Sequence, residues 1–170
     1  MFERGPHVSF SNCSLPYHLS GVIEDADDLV LMDPELFLKQ YHIDARVNSE
    51  VTAIDRNNRT VKVKRTDSGE EYTESYDKLI LSPGASPIVP GLAGIENVNI
   101  FTVRNVVDID KLNRFVKQMD SKDIAVIGGG YVGVEVAENL REAGYNVSLI
   151  EATNQILRPF DYFILEISCI

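Results

Sequence analysis

The chain has 170 residues, 44% of them hydrophobic and 25% charged, with a formal net charge of −10 and two cysteines. These proportions are those of an ordinary globular protein. The acidic balance argues against a nucleic-acid partner, no apolar run approaches the roughly 20 residues that span a bilayer, and Cys13 with Cys169 cannot build a disulfide framework.

Met1-Phe2-Glu3-Arg4-Gly5-Pro6 lacks the charged start and apolar core of a secretory signal, so a cytoplasmic location is expected. Ser9-Phe10-Ser11-Asn12-Cys13-Ser14-Leu15-Pro16-Tyr17 places a thiol where a short helix is predicted to begin. There the unpaired N–H groups and the dipole would stabilise a thiolate, the form that attacks disulfides and peroxides. A buried, inert thiol is the other reading of these residues. His18 is read as a solvated helix residue or a base.

Asp33-Pro34-Glu35 reads as a helix start: an acidic cap, Pro at the first position and an acid in the first turn. The helix is predicted to carry Leu36, Phe37 and Tyr41 inward. From Ala45 to Ser82 the pattern changes to strands. Val47, Val51 and Ile54 lead into a turn at Asn57-Asn58, Val61 and Val63 alternate with lysines, and Lys78 to Leu81 forms a short apolar strand. Pro83, Pro87, Pro90, Gly91 and Gly94 mark a connection between domains over residues 83–105.

Asp108 is predicted to cap a helix whose apolar face is Ile109, Leu112, Phe115, Val116 and Met119. Ile124 to Ile127 and Val147 to Ile150 are predicted as buried strands, separated by a helix over 131–143 that Gly144 ends. Between the first strand and that helix, Gly128-Gly129-Gly130-Tyr131-Val132-Gly133 fits G-x-G-x-x-G, and the second strand ends in Glu151. The motif alone is weak, but strand, loop, helix, strand and acid in this order match a dinucleotide fingerprint. Gly128 permits the turn, Gly130 lets a pyrophosphate approach the backbone, and Gly133 lets helix and strand pack closely. The helix N-terminus attracts the phosphates. Glu151 is expected to accept hydrogen bonds from the ribose and to repel a 2′-phosphate, favouring NADH over NADPH. A structural glycine turn, and an acid facing solvent, are the plainer alternatives.

Several segments then resemble one family in order and spacing. Ser9-Phe10-x-Asn12-Cys13-x-x-Pro16-Tyr17 is similar to the active-site segment of coenzyme A-disulfide reductases, relatives of the NADH oxidases and peroxidases. Tyr76-Asp77-Lys78-Leu79-Ile80-Leu81-Ser82-Pro83-Gly84-Ala85 resembles the segment closing the flavin site. The glycine loop and the stretch 148–161 match as well. The resemblance, to the pyridine nucleotide–disulfide oxidoreductases, covers residues 1 to about 161.

It implies an α/β fold: an incomplete FAD-binding Rossmann-like lobe over 1–103, then the first βαβ of a NAD(P)-binding Rossmann domain over 104–161, and an atypical tail at 162–170. It implies Cys13 as the redox centre, with Ser9, Asn12 and Tyr17 lining the site of a small disulfide such as coenzyme A disulfide. Glu3, Arg4, Val51, Ser82 and Gly84 would contact FAD. Gly128, Gly129, Gly130, Tyr131, Val132, Gly133, Glu135 and Glu151 would hold NADH or NADPH. No metal is expected.

Two-cysteine members of the superfamily carry C-x4-C on this helix. Position 18 here is histidine, so the second sulfur comes from a small molecule, or Cys13 cycles through sulfenic acid as in an oxidase or peroxidase. The flavin glycine loop of a complete member is absent, so the chain is expected to start about 30 residues late, the length of a strand-loop-helix unit. By itself it is then expected to lack turnover, as a nucleotide-binding fragment, while the full-length form would be a homodimer.

Overall fold

The structure is a computed structural model that describes residues 1–160; the predicted tail, Asp161 and Cys169 lie outside the described residues. In chain order the elements are β1 (Ser9–Phe10), α1 (Tyr17–Ser20), a 3-10 turn (Ala26–Leu29), β2 (Val30–Met32), α2 (Pro34–Tyr41), β3 (Ser49–Asp55), β4 (Thr60–Arg65) and β5 (Glu71–Ser75). They continue with α3 (Val106–Gln118), β6 (Asp123–Ile127), α4 (Tyr131–Glu142) and β7 (Asn146–Ile150). The fold is α/β, as expected.

By packing, the chain forms two compact units. Met1–Ser11 groups with Val30–Ser86, and Asn12–Leu29 groups with the described residues from Pro87 onward. The last crossing falls inside the Pro- and Gly-rich connection predicted at 83–105. A single cut near 103 does not reproduce this grouping, because α1 packs on α3 and α4.

In the first unit, β3, β4 and β5 form an antiparallel sheet in sequence order. The turn after β3 is built by Asp55, whose carboxylate accepts from the N–H groups of Asn57 and Asn58. Val61 and Val63 alternate with lysines as period two requires and are buried, opposite Ile54 and Val51. The N-terminal residues run parallel to residues 45–49: Phe2 bridges Arg46, the Glu3 N–H donates to the Arg46 carbonyl, and the Ser49 N–H donates to the Glu3 carbonyl.

Two expectations fail here. Asp33 does cap α2, accepting from the Leu36 N–H at 2.7 Å, but the helix buries none of its residues. Leu36 and Tyr41 are 42% and 48% exposed, and Phe37 packs on Tyr41 (ring centroids 5.2 Å) instead of entering a core. An apolar helix face is buried only when another element lies on it, and none does so among the described residues. Residues 78–81 form no strand, and Ile80 is 91% exposed. Apolar sequence does not make a strand without a neighbour to complete the hydrogen-bond ladder.

In the second unit, β6 and β7 pair in parallel and in register from Asp123↔Asn146 to Ile127↔Ile150, with α4 as the crossover packed on both strands. The strands are not buried on both faces as predicted. Ile124, Val126, Val147 and Leu149 are half-buried, whereas Ile127 is 65% exposed, because a parallel pair needs helices on both faces to be fully covered. The cap of α3 is Asn105, not Asp108: its side chain accepts from the Asp108 N–H at 2.9 Å. Both acids and amides cap well, and the residue with extended backbone takes the role. Ile109, Leu112 and Val116 then enter a core with Leu15, Leu19, Leu29, Val136 and Leu140. The Tyr145 hydroxyl donates to the Val116 carbonyl at 2.9 Å, tying the start of β7 to α3.

Candidate functional site

The glycine loop is built by what side chains would forbid. Gly128 sits at φ +107°, a region closed to most L residues, while its N–H donates to the Ile150 carbonyl at 2.8 Å and extends the pairing of β6 with β7. A Cβ on Gly133 would stand 1.8 Å from the Gly128 carbonyl oxygen, so the first turn of α4 can lie against the loop only if residue 133 is glycine. A Cβ on Gly129 would meet Ile156 at 2.7 Å. Around Gly130 there is nothing within 4 Å of the Cβ position, so the backbone is open to a ligand there. Tyr131, Val132 and Gly133 begin α4, whose first-turn N–H groups have no partner inside the helix and no side-chain cap.

Glu151 closes the loop from the end of β7. Its Oε2 accepts from the Gly129 N–H at 2.7 Å, and its Oε1 accepts from the N–H and hydroxyl of Thr153 at 2.9 and 2.8 Å. The Gly129 bond first, then the Thr153 bonds, lower its pKa to about 2. Oε1 already accepts two bonds, but Oε2 keeps a lone pair, so the carboxylate can still accept a ribose hydroxyl while holding the loop. Together the open backbone at Gly130, the helix N-terminus and this acid fit a pyrophosphate and its ribose. Glu135 lies one turn further along α4, where its carbonyl accepts from Asn139. Thr153 was not found from the sequence, since a Thr two residues after the acid has no motif of its own.

The thiol segment is organised differently. Cys13 is exposed and is the only cysteine among the described residues. It does not stand at a helix N-terminus as predicted: α1 begins at Tyr17, with Pro16 as its cap. Asn12 to Pro16 form turns in which the Asn12 carbonyl accepts from the Leu15 N–H and the Ser14 carbonyl from the Tyr17 N–H. Leu15 and Leu19 anchor the segment in the core, and Tyr17 is exposed.

His18 is buried at 4% exposure, not solvated. Nδ1 donates to the Ile23 carbonyl at 2.8 Å, which leaves Nε2 to accept from Asn113 Nδ2 at 2.8 Å. The Asn113 Oδ1 is buried without a partner. The Ser20 hydroxyl donates to Asn139 Oδ1 at 2.6 Å, and Arg104 Nη1 donates to Asn12 Oδ1 at 3.1 Å. Arg104 and Asn113 were missed because each lies more than 90 residues along the chain from its partner, at 92 and 95 residues.

Ser9, the other predicted substrate residue, is in β1 of the first unit. The predicted flavin-side residues all fall in that unit. Glu3 Oε1 accepts from the Gly5 N–H at 2.7 Å, orienting its carboxylate. Arg4 and Glu50 approach to 3.9 Å, Val51 pairs with Val63, and Ser82 and Gly84 (φ +73°) lie in the irregular exposed stretch. Among the described residues no cluster of three or more His, Cys, Asp or Glu could hold a metal ion, and no helix is long and apolar enough to cross a membrane.

Comparison with known proteins places this geometry. A family model described as pyridine nucleotide-disulphide oxidoreductase matches residues 1–168. A coenzyme A disulfide reductase of Staphylococcus aureus (strain JH9) is 40% identical over 161 residues, which is 95% of this chain and 36% of that protein. The chain thus spans about a third of the length of the relatives it matches. The crystal structure of reduced Bacillus anthracis CoADR-RHD superposes with a TM-score of 0.93 at 43% identity, covering 99% of this chain and 31% of that one. A water-forming NADH oxidase from Lactobacillus brevis, bound to NADH, gives a TM-score of 0.88 at 33% identity, covering 98% of this chain and 37% of that one. With the family model matched along nearly the whole length of the chain, this protein belongs to the pyridine nucleotide-disulphide oxidoreductases.

Proposed function

We propose that the protein is a flavin-dependent NAD(P)H:disulfide oxidoreductase that reduces coenzyme A disulfide, or a related small disulfide, through Cys13. One observation carries the reading. Cys13 is exposed, while the position where a second cysteine of the helix would stand is filled by a buried, doubly hydrogen-bonded His18. Among the described residues Cys13 has no protein sulfur to pair with, which supports a sulfur brought by the substrate.

The residues divide the work. The open backbone at Gly130 and the first turn of α4 bind the pyrophosphate of the nicotinamide cofactor, and Glu151 takes its adenosine ribose, favouring NADH. Glu3, oriented by Gly5, is the acid for the flavin's ribose. FAD, when bound, supplies a two-electron relay between nicotinamide and sulfur. The Cys13 thiolate attacks one sulfur of the disulfide, breaking that S–S bond, releasing one thiolate and leaving a mixed disulfide. Two electrons and a proton then cleave the mixed disulfide, freeing the second thiol and restoring the Cys13 thiolate. Asn12, next to Cys13 in the chain, and the exposed Tyr17 at the start of α1 are the residues that would contact the substrate.

The likeness to the Lactobacillus brevis oxidase favours a second reading, in which Cys13 cycles through sulfenic acid. Intact mass of the full-length protein as isolated separates the two. A coenzyme A-sized adduct on the Cys13 peptide, removed by dithiothreitol, supports the reductase. Dimedone capture of Cys13 without such an adduct moves the assignment to the oxygen branch. In the reductase, Cys13→Ser abolishes disulfide reduction but leaves flavin reduction by NADH nearly intact, since that half-reaction needs no sulfur. Coenzyme A disulfide reduction at the wild-type rate in the serine variant would remove Cys13 from the mechanism.

A further inference from the structure

The polar contacts of the thiol segment include a long-range one to Asn12, the residue before Cys13. Arg104 Nη1 donates to Asn12 Oδ1 at 3.1 Å across 92 residues of chain. A guanidinium has N–H donors only, so the amide atom it meets is the oxygen. An asparagine amide left to itself presents oxygen or nitrogen with little preference, and a fixed donor on one side removes that choice. With Oδ1 held, both Nδ2 hydrogens are donors on an exposed residue adjacent to Cys13.

We propose that Arg104 is a positioning residue that fixes the Asn12 amide as a hydrogen-bond donor beside Cys13. The group it suits is an acceptor on the incoming disulfide, of the kind the amide carbonyls of a coenzyme A arm provide. This rests on the disulfide-reductase reading for the identity of the substrate, but not for the orientation of the amide. The charge of Arg104 acts through Asn12 rather than on the substrate. Arg104 opens the segment that leads into the Asn105 cap of α3, so the donor next to the sulfur is set by an element far along the chain.

The test is a set of variants in the full-length flavoprotein, with KM and kcat for coenzyme A disulfide measured separately. Arg104→Met raises KM about tenfold, the scale of one hydrogen bond, with kcat changed by less than about twofold. Arg104→Lys restores most of the affinity, because an ammonium also donates to Oδ1. Asn12→Asp keeps the acceptor for Arg104 but has no N–H to offer, so its KM rises although the pairing survives. In an Asn12→Ala background Arg104→Met adds nothing further. A merely structural role would lower the thermal midpoint and would not separate KM from kcat in this way.

An unchanged KM in Arg104→Met overturns the proposal, and so does full additivity with Asn12→Ala, which would place the guanidinium on the substrate itself. If the wild-type protein turns over oxygen or peroxide and not coenzyme A disulfide, the substrate reading fails separately. The same double-mutant cycle on kcat/KM for that oxidant then decides Arg104: coupling to Asn12 supports the proposal, and its absence overturns it.

Discussion

The nucleotide loop and the thiol segment are held by opposite means. Residues 128–133 take their shape from what glycine lacks. One position needs positive φ, two have no room for a Cβ, and the acid that closes the loop is 22 residues away. The segment from Asn12 to Ser20 contains no glycine, and Cys13 sits in the turn before its helix. It is fixed by buried leucines and by side-chain bonds to residues 92, 95 and 119 positions distant. The first site is defined by local sterics and the second by distant partners, so they should fail differently when mutated.

The largest effect is expected where the sterics are tightest. Gly133→Ala puts a carbon 1.8 Å from the Gly128 carbonyl oxygen. It should cost roughly 3 kcal/mol of stability and remove flavin reduction by NADH. Gly130→Ala meets nothing within 4 Å, so it should leave the denaturation midpoint unchanged while raising KM for NADH about tenfold by obstructing the ligand. If both variants unfold alike, the distinction between a packing glycine and a binding glycine fails.

An intermediate effect is expected on the thiol side. His18→Leu fills the space but strands the Asn113 amide, whose Oδ1 already lacks a partner. About 2 kcal/mol should be lost in chemical denaturation, the scale of a buried polar group left unsatisfied. Replacing both residues, His18→Leu with Asn113→Leu, should recover most of it. A double variant no better than the single one would show that packing, and not polar satisfaction, holds α1 against α3.

The smallest effect concerns acid stability. Glu151 is held at about 2 in the folded chain, from an ordinary value of 4.5, by the Gly129 N–H and then by Thr153. A folded value below the unfolded one means the carboxylate contributes stability above about 4.5, and the contribution is lost as pH falls from there through about 2. Glu151→Gln should therefore flatten the stability-against-pH curve in that window while leaving its shape at neutral pH. An unaltered slope between pH 5 and 2 would mean that the loop does not depend on the ionised acid.

How much was legible follows the same division. G-x-G-x-x-G between an apolar strand and an amphipathic helix carries its own geometry, so the turn, the helix α4 and the place of Glu151 at the end of β7 were legible from residue types and spacing. The cap of α2 was legible for the same reason: Asp33 and Pro34 act within one turn. Burial was less so. The apolar faces of α2, of residues 78–81 and of the outer side of β6 and β7 are plain in the sequence, yet they remain exposed. A pattern shows that a face can be buried, whereas burial itself requires another element on that face.

The sequence by itself determined the α/β class, the glycine loop between strand and helix, and a cysteine segment resembling that of disulfide reductases, because these depend on backbone sterics and on local order along the chain. Only the tertiary structure decided that His18 is a buried strut and not a solvated residue, that Thr153 shares Glu151 with the loop, and that Arg104 donates to the Asn12 amide beside Cys13. Hydrogen bonds across some 90 residues leave no periodicity or spacing in the chain, since the fold alone brings their partners to 3.1 and 2.8 Å.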